Sequence, residues 1–161
     1  MTEPKSTPFN SEAEYRSAID GVLLVAQKEI CLFDPDLERL GLEEKGRAAR
    51  LEAFIAGAEK GRLRGVMHDA SRLNAHSPRL RELLRRFPLS IEFRQSPENM
   101  RHLADCLLLA DGSHGVIRFH ADYARGKQVL HDPVELAPRI LRFEELWQAS
   151  QPLPLTGVLG L

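Results

Sequence analysis

Residues 101–112 read RHLADCLLLADG. The run from Cys106 to Ala110 shows no alternation of apolar and polar side chains, so a strand here has both faces covered and lies near the centre of a sheet. Asp111-Gly112 ends it. That pair commonly turns a chain between strands, with the glycine free to take a positive φ. Two more strands are predicted downstream, GVIRFH at 115–120 and KQVLHD at 127–132, joined by a loop around 122–126.

Upstream, the pattern alternates helix and strand. Ser11 with Glu14 makes a capping box, and Tyr15, Ala18, Ile19, Val22 and Ala26 recur on one face, which predicts a helix over 11–28. EICLFD at 29–34, stopped by Pro35, follows as a buried strand. Leu51, Phe54, Ile55 and Ala58 mark a second helix, with Gly61 placed to end it in a left-handed conformation. RLRGVMHD at 62–69 is the next strand, and Ser77-Pro78 opens a helix buried through Leu80, Leu83, Leu84 and Phe87. LSIEFRQ at 89–95 alternates at period two, as a strand with one wet face does. Asp132-Pro133 with Glu135 begins the last helix, whose stripe is Leu136, Ile140, Phe143 and Trp147. The sum is an α/β domain over 11–150 with a mixed β-sheet flanked by helices. Residues 1–10 and the tail 151–161 read as loosely held ends.

With 161 residues and 43% hydrophobic side chains, the chain has material for one substantial core. Its 22 Lys and Arg balance 23 Asp and Glu, leaving a net charge of −1. No global field therefore steers it toward nucleic acid or an anionic membrane, and any phosphate site must be local. No leader pattern opens the sequence and no apolar stretch is long enough to span a membrane, so it reads as soluble and cytoplasmic. Cys31 and Cys106 each sit within apolar runs and read as buried thiols, not a disulfide framework. Neither a dinucleotide fingerprint nor a phosphate-binding P-loop is present, and no cofactor is expected.

The order of elements, LLLADG at 107–112, and HDPVELAPRILRFEELWQAS at 131–150 together resemble the phospholipase D-like superfamily, as a single half-domain of a bacterial type. The resemblance spans roughly residues 15–150. Its active members carry H-x-K-x-x-x-x-D-G, in which the His forms a covalent phosphohistidine and the Lys binds phosphoryl oxygens. Aligned on Asp111 and Gly112, that motif puts Ala104 at the His position and Cys106 at the Lys position. Ala104 has no lone pair to attack with, and a thiol carries no fixed positive charge to offset a developing oxyanion. Moving the register to His102 puts Ala104 at the Lys position and Leu109 at the Asp position, which is worse. The downstream Ser and Asn of the family pattern fall near His120 and Asp122 in RFHAD, and its Asn-x-Glu element is missing. The resemblance thus implies a degenerate, non-catalytic domain, a binding or interaction module with a homodimer and a protein partner as its expected associations.

Other constellations carry less. His102, Asp105, His114, His120, Asp122 and His131 are ordinary ligand types for zinc or iron, yet none has diagnostic spacing and no metal is expected. Catalysis by Cys106 would require a converging His and acid, whereas its place in an apolar strand predicts burial and inertness. A divergent phosphodiesterase would use His120 and Asp122 with Asp111 in the remnant cleft. A phosphate or nucleic-acid binder would use Arg79, Arg81, Arg85 and Arg86, with Arg62 and Arg64 nearby. Leu80, Leu83 and Leu84 make those helical arginines an ordinary solvated face, and no aromatic residue interleaves with them to stack bases.

Overall fold

The structure, a computed structural model, describes residues 3–153. One eight-stranded mixed sheet runs through it, in the order β1-β7-β6-β5-β2-β3-β4-β8. The strands are β1 (Lys5–Phe9), β2 (Glu29–Phe33), β3 (Arg62–Met67), β4 (Ile91–Gln95), β5 (Cys106–Ala110), β6 (His114–His120), β7 (Tyr123–Leu130) and β8 (Gln151–Pro152). The helices are α1 (Glu12–Val25), α2 (Lys45–Ala56), α3 (Ser71–His76), α4 (Pro78–Arg86) and α5 (Pro133–Ala149). Strands β2, β3 and β4 are parallel, joined by helical crossovers, while β5, β6, β7 and β1 extend the sheet antiparallel.

β5 lies between β2 and β6, and every one of its side chains is buried. Its two faces serve two cores. Leu108 and Ala110 pack with residues of α1, α2, α3 and α4, whereas Leu107 and Leu109 pack with Leu136, Phe143, Leu146 and Trp147 of α5. One sheet face therefore carries four helices and the other carries one.

The Asp111-Gly112 turn forms as expected. Both residues have positive φ (58° and 66°), and the Ser113 N–H closes the turn on the Ala110 carbonyl at 3.0 Å. The Asp111 carboxylate also reaches across to the start of β2, where it accepts the backbone N–H groups of Gln27, Lys28 and Glu29 at 2.9, 2.7 and 2.9 Å. These bonds explain why α1 stops at Val25, short of the expected Lys28. The chain must leave the helix at Ala26 (φ −62°, ψ 133°) to present those three donors.

Several boundaries differ from expectation for local reasons. Lys5–Phe9, read as a loose end, is an edge strand paired with β7. Gln151–Pro152 pairs with β4, and the remainder of the tail, from 154, lies outside the described residues. α2 ends at Ala56, and the left-handed residue is Lys60 (φ 50°), not Gly61. Gly61 is instead packed so closely that a Cβ there would lie 2.5 Å from the Phe54 ring. Ser77 begins α4 without a side-chain cap, because the Glu43 carboxylate takes the N–H groups of Arg79 and Leu80 at 2.9 Å each. The predicted loop at 122–126 shrinks to a tight turn at Ala121-Asp122, and β7 starts at Tyr123. The short helix α3 had no strong periodicity and was not predicted.

Replacing Asp111 by Ala strands three donors at the α1–β2 connection, and should lower stability by about 2 kcal/mol or more in urea unfolding. Gly112→Ala, which touches no neighbour but keeps the positive φ, should cost less, about 1 kcal/mol.

Candidate functional site

Strand alternation sets where the remnant motif points. Cys106 shares its face with Leu108, and its antiparallel partner across the ladder is Arg118. Both lie on the α1 side. There the Arg118 guanidinium, 1% exposed, sits 4.7 Å over the Tyr15 ring and pairs with Glu12 at 2.7 and 3.0 Å. It also donates to the carbonyls of His120 (3.2 Å) and Ala121 (2.8 Å). A fixed cation thus stands beside the Lys-equivalent position, but Glu12 already neutralises it.

Asp34, at the end of β2, completes this cluster. It is fully buried, and Oδ1 accepts the N–H groups of Asp36 and Leu37 at 3.0 and 2.8 Å. Oδ2 has no hydrogen-bond partner among the described residues. Burial raises the Asp34 pKa, opposed by those backbone bonds and by Arg39. The Cys106 thiol beside it is pushed far above its ordinary value, first by burial and then by the Asp34 charge. Burial likewise pushes Cys31 up to about 12, its Arg64 neighbour opposing. Neither thiol is poised as a nucleophile.

Backbone bonds and ion pairs border this cluster on its outer side. The Ala121 N–H binds the Ala104 carbonyl at 2.6 Å, and Arg39 donates to the Ala121 carbonyl at 2.6 Å while lying 3.9, 3.5 and 3.7 Å from Asp34, Asp36 and Asp122. On the Cys106 side, four carboxylates (Glu12, Asp34, Asp36, Asp122) face the two arginines Arg39 and Arg118. That charge balance disfavours a phosphate anion. The cluster offers no free cation where the family chemistry needs one.

The residues expected in one cleft are in fact divided. His120 and Asp122 meet in the β6–β7 turn, where His120 Nδ1 accepts the Asp122 N–H at 3.1 Å. Asp111 does not join them: it stands at the other end of β5, about 17 Å away along five strand residues. A His120, Asp122 and Asp111 constellation is therefore not assembled. His114 and His131 also lie at the Asp111 end, ring centroids 4.5 Å apart and edge-on. His102, Asp105 and His120 line a groove on the α5 side, where Arg142 holds Asp105 at 2.5 and 2.8 Å.

The arginines divide as well. Arg64 is on the α5 face, over Phe143 and Trp147 and paired with Glu29 and Glu144, whereas α4 packs against the opposite face. On α4 itself, Arg79 is tied to the Glu43 carbonyl, Arg81 to the Asn74 carbonyl, Arg85 to Glu82 and Arg86 to Glu52. A residue missed in the sequence is His68, whose Nε2 donates to the Leu103 carbonyl at 2.7 Å and whose Nδ1 meets Ser96 Oγ at 2.5 Å. It pins the lead-in to β5. A lone His after a strand gives no sequence signal for that role.

Two measurements follow from this geometry. Cys106→Ala removes a packed side chain and should cost about 1 kcal/mol or more. At the other end of β5, His114 Nδ1 accepts the His131 N–H at 3.0 Å, and its pKa lies below the usual imidazole value, chiefly through burial, then through His131, with Asp111 opposing. The unfolded chain binds a proton below about pH 6.5 that the folded ring resists, so this contribution to stability falls as pH drops from there through the folded pKa. His114→Gln should flatten that limb of the stability profile.

The fold matches solved structures at low identity. Nuc from Salmonella typhimurium, a phospholipase D family member, aligns over 94% of this chain and 99% of its own, with TM-score 0.62 and 12% identity. NucT from Helicobacter pylori aligns over 94% and 100%, with TM-score 0.59 and 9% identity. TrmBL2, an archaeal chromatin protein described as showing a novel mode of DNA binding, aligns over 92% of this chain but 54% of its own, with TM-score 0.63 and 15% identity. These similarities establish a phospholipase D-like fold. No curated protein matches the sequence. Residues 11–156 match the family described as Domain of unknown function (DUF7931), and the chain belongs to that family.

Proposed function

We propose that this chain is a non-catalytic member of the phospholipase D-like superfamily, a single half-domain retained as a binding or interaction module. One observation carries the reading: the positions that align with the nucleophilic His and the phosphate-binding Lys hold Ala104 and a buried Cys106, the thiol lying against the Asp34 carboxylate. A buried thiol beside a carboxylate supplies neither a nucleophile nor an anion-binding charge. The acidic balance around that position supports loss of phosphoryl chemistry further.

The retained Asp111 needs no catalytic explanation, since its carboxylate is occupied by three backbone donors. A homodimer belongs to the same reading, by analogy with half-domain members whose motifs face one another. Two free buried thiols fit a reducing, cytoplasmic setting. Among the described residues no helix is long and apolar enough to cross a membrane.

The test is hydrolysis of bis(4-nitrophenyl) phosphate by the purified chain. The expected rate equals that of buffer, for the native protein and for His120→Ala. Turnover by the native protein that His120→Ala abolishes with folding intact would replace this reading with a divergent phosphodiesterase. Cys106→Lys alone should not create activity, because position 104 still lacks an imidazole. Native mass spectrometry should give twice the 18.1 kDa chain mass if the domain pairs with itself.

A further inference from the structure

The groove on the α5 side takes in Ala104 and His120, whereas Cys106 lies on the other sheet face beside Arg118. The groove's volume is about 590 Å³, and it lies between the lead-in to β5, the end of β6 and one side of α5. Leu103, Ala104 and Pro138 contribute apolar surface. Phe119 stands at its edge 54% exposed, on a strand whose first five residues are buried. A water-facing aromatic side chain at a groove with apolar lining is what a partner covers.

The charge of the groove says which partner. Arg139 has no carboxylate partner among the described residues, and the exposed imidazoles of His102 and His120 add proton-donating edges. The single carboxylate in the lining, Asp105, is held bidentately by Arg142. The groove is thus cationic on a chain whose net charge is −1. A nucleic-acid strand needs a row of free cations along its phosphates. Here one unpaired guanidinium lines the groove, Asp105 sits in the lining, and the arginine-rich α4 is on the opposite sheet face. One guanidinium beside an exposed aromatic instead suits one or two carboxylates next to one apolar side chain.

We propose that this groove binds an acidic peptide segment of a partner protein, carboxylates on Arg139 and one apolar anchor on Phe119 and Pro138. The assignment rests on the chain being a binding module, and it names the chemistry of what is bound.

The test selects a random twelve-residue peptide library displayed on phage against the full chain, then measures synthetic copies of the enriched peptides by fluorescence anisotropy. Enriched sequences should carry several Asp or Glu around one Leu, Phe or Trp. Their affinity should fall at least tenfold in Phe119→Ser and in Arg139→Ser, with melting temperature and oligomeric state unchanged. Absence of enrichment, enrichment of basic or neutral sequences, or binding indifferent to both substitutions would overturn the proposal. So would tighter binding of a twenty-nucleotide oligothymidylate at the same residues, which would give the groove to nucleic acid. Dissociation of an oligomer by Phe119→Ser would give it to a second copy. Failure here with no phosphodiester turnover removes the peptide assignment alone, whereas turnover removes the non-catalytic reading.

Discussion

The carboxylate of Asp111, held by three backbone N–H groups of residues 27–29, fixes how the middle of this sheet is assembled. β5 is uniformly apolar and buried on both faces, so hydrophobic burial alone discriminates poorly between registers two residues apart. The polar ends supply what the strand lacks. At one end Asp111 ties the β5–β6 turn to the start of β2, setting Ile30 opposite Ala110. At the other, Asp105 is clamped by Arg142 and the Ala104 carbonyl by the Ala121 N–H. α1, α5 and both cores are positioned from these anchors.

That division of labour bears on what the remnant motif means. Its aspartate and glycine shape the turn and hold a connection, roles the fold requires with or without chemistry. Of its other two positions, Ala104 lines the groove beside α5, and Cys106 points into the α1-side cluster, where a Lys would have to share a buried space with Arg118. Cys106 fills that space without adding a second desolvated cation. Arg118, stacked on Tyr15 and neutralised by Glu12, joins α1 to the end of β6. Asp34, Arg39 and Asp122 border the same cluster. The result is a polar seam between α1, the β2–α2 connection and the β6–β7 turn.

The fold was legible in the sequence because its central strand is unambiguous. CLLLA announced a strand covered on both sides, Asp-Gly announced the turn, and the capping box at Ser11 and Glu14 formed with the Glu14 N–H on Ser11 Oγ at 3.1 Å. Edge strand β1 was hidden because KSTPF contains Pro and polar residues, features an exposed edge tolerates and a pattern search reads as coil. The caps of α4 were hidden because Glu43 reaches in from a different segment. Of the candidate site, the burial of Cys106 was legible, since the thiol sits within an apolar run. The grouping of His120, Asp122 and Asp111 was not, since residues near both ends of one hairpin are close in sequence and far apart in space. The groove at Phe119 left no sequence signal, for strand alternation in RFH says which face a side chain takes but not whether a helix covers it.

The most direct measurement is the rate at which Cys106 reacts with a thiol reagent in the native protein, followed by peptide mass mapping across pH and urea. If the old Lys position is now core, labelling occurs only through unfolding, and its rate tracks the unfolding equilibrium measured independently. Rapid labelling under native conditions, rising with pH through the ordinary thiol range near about 8.5, would show an open and titrating cleft. That result would contradict the account.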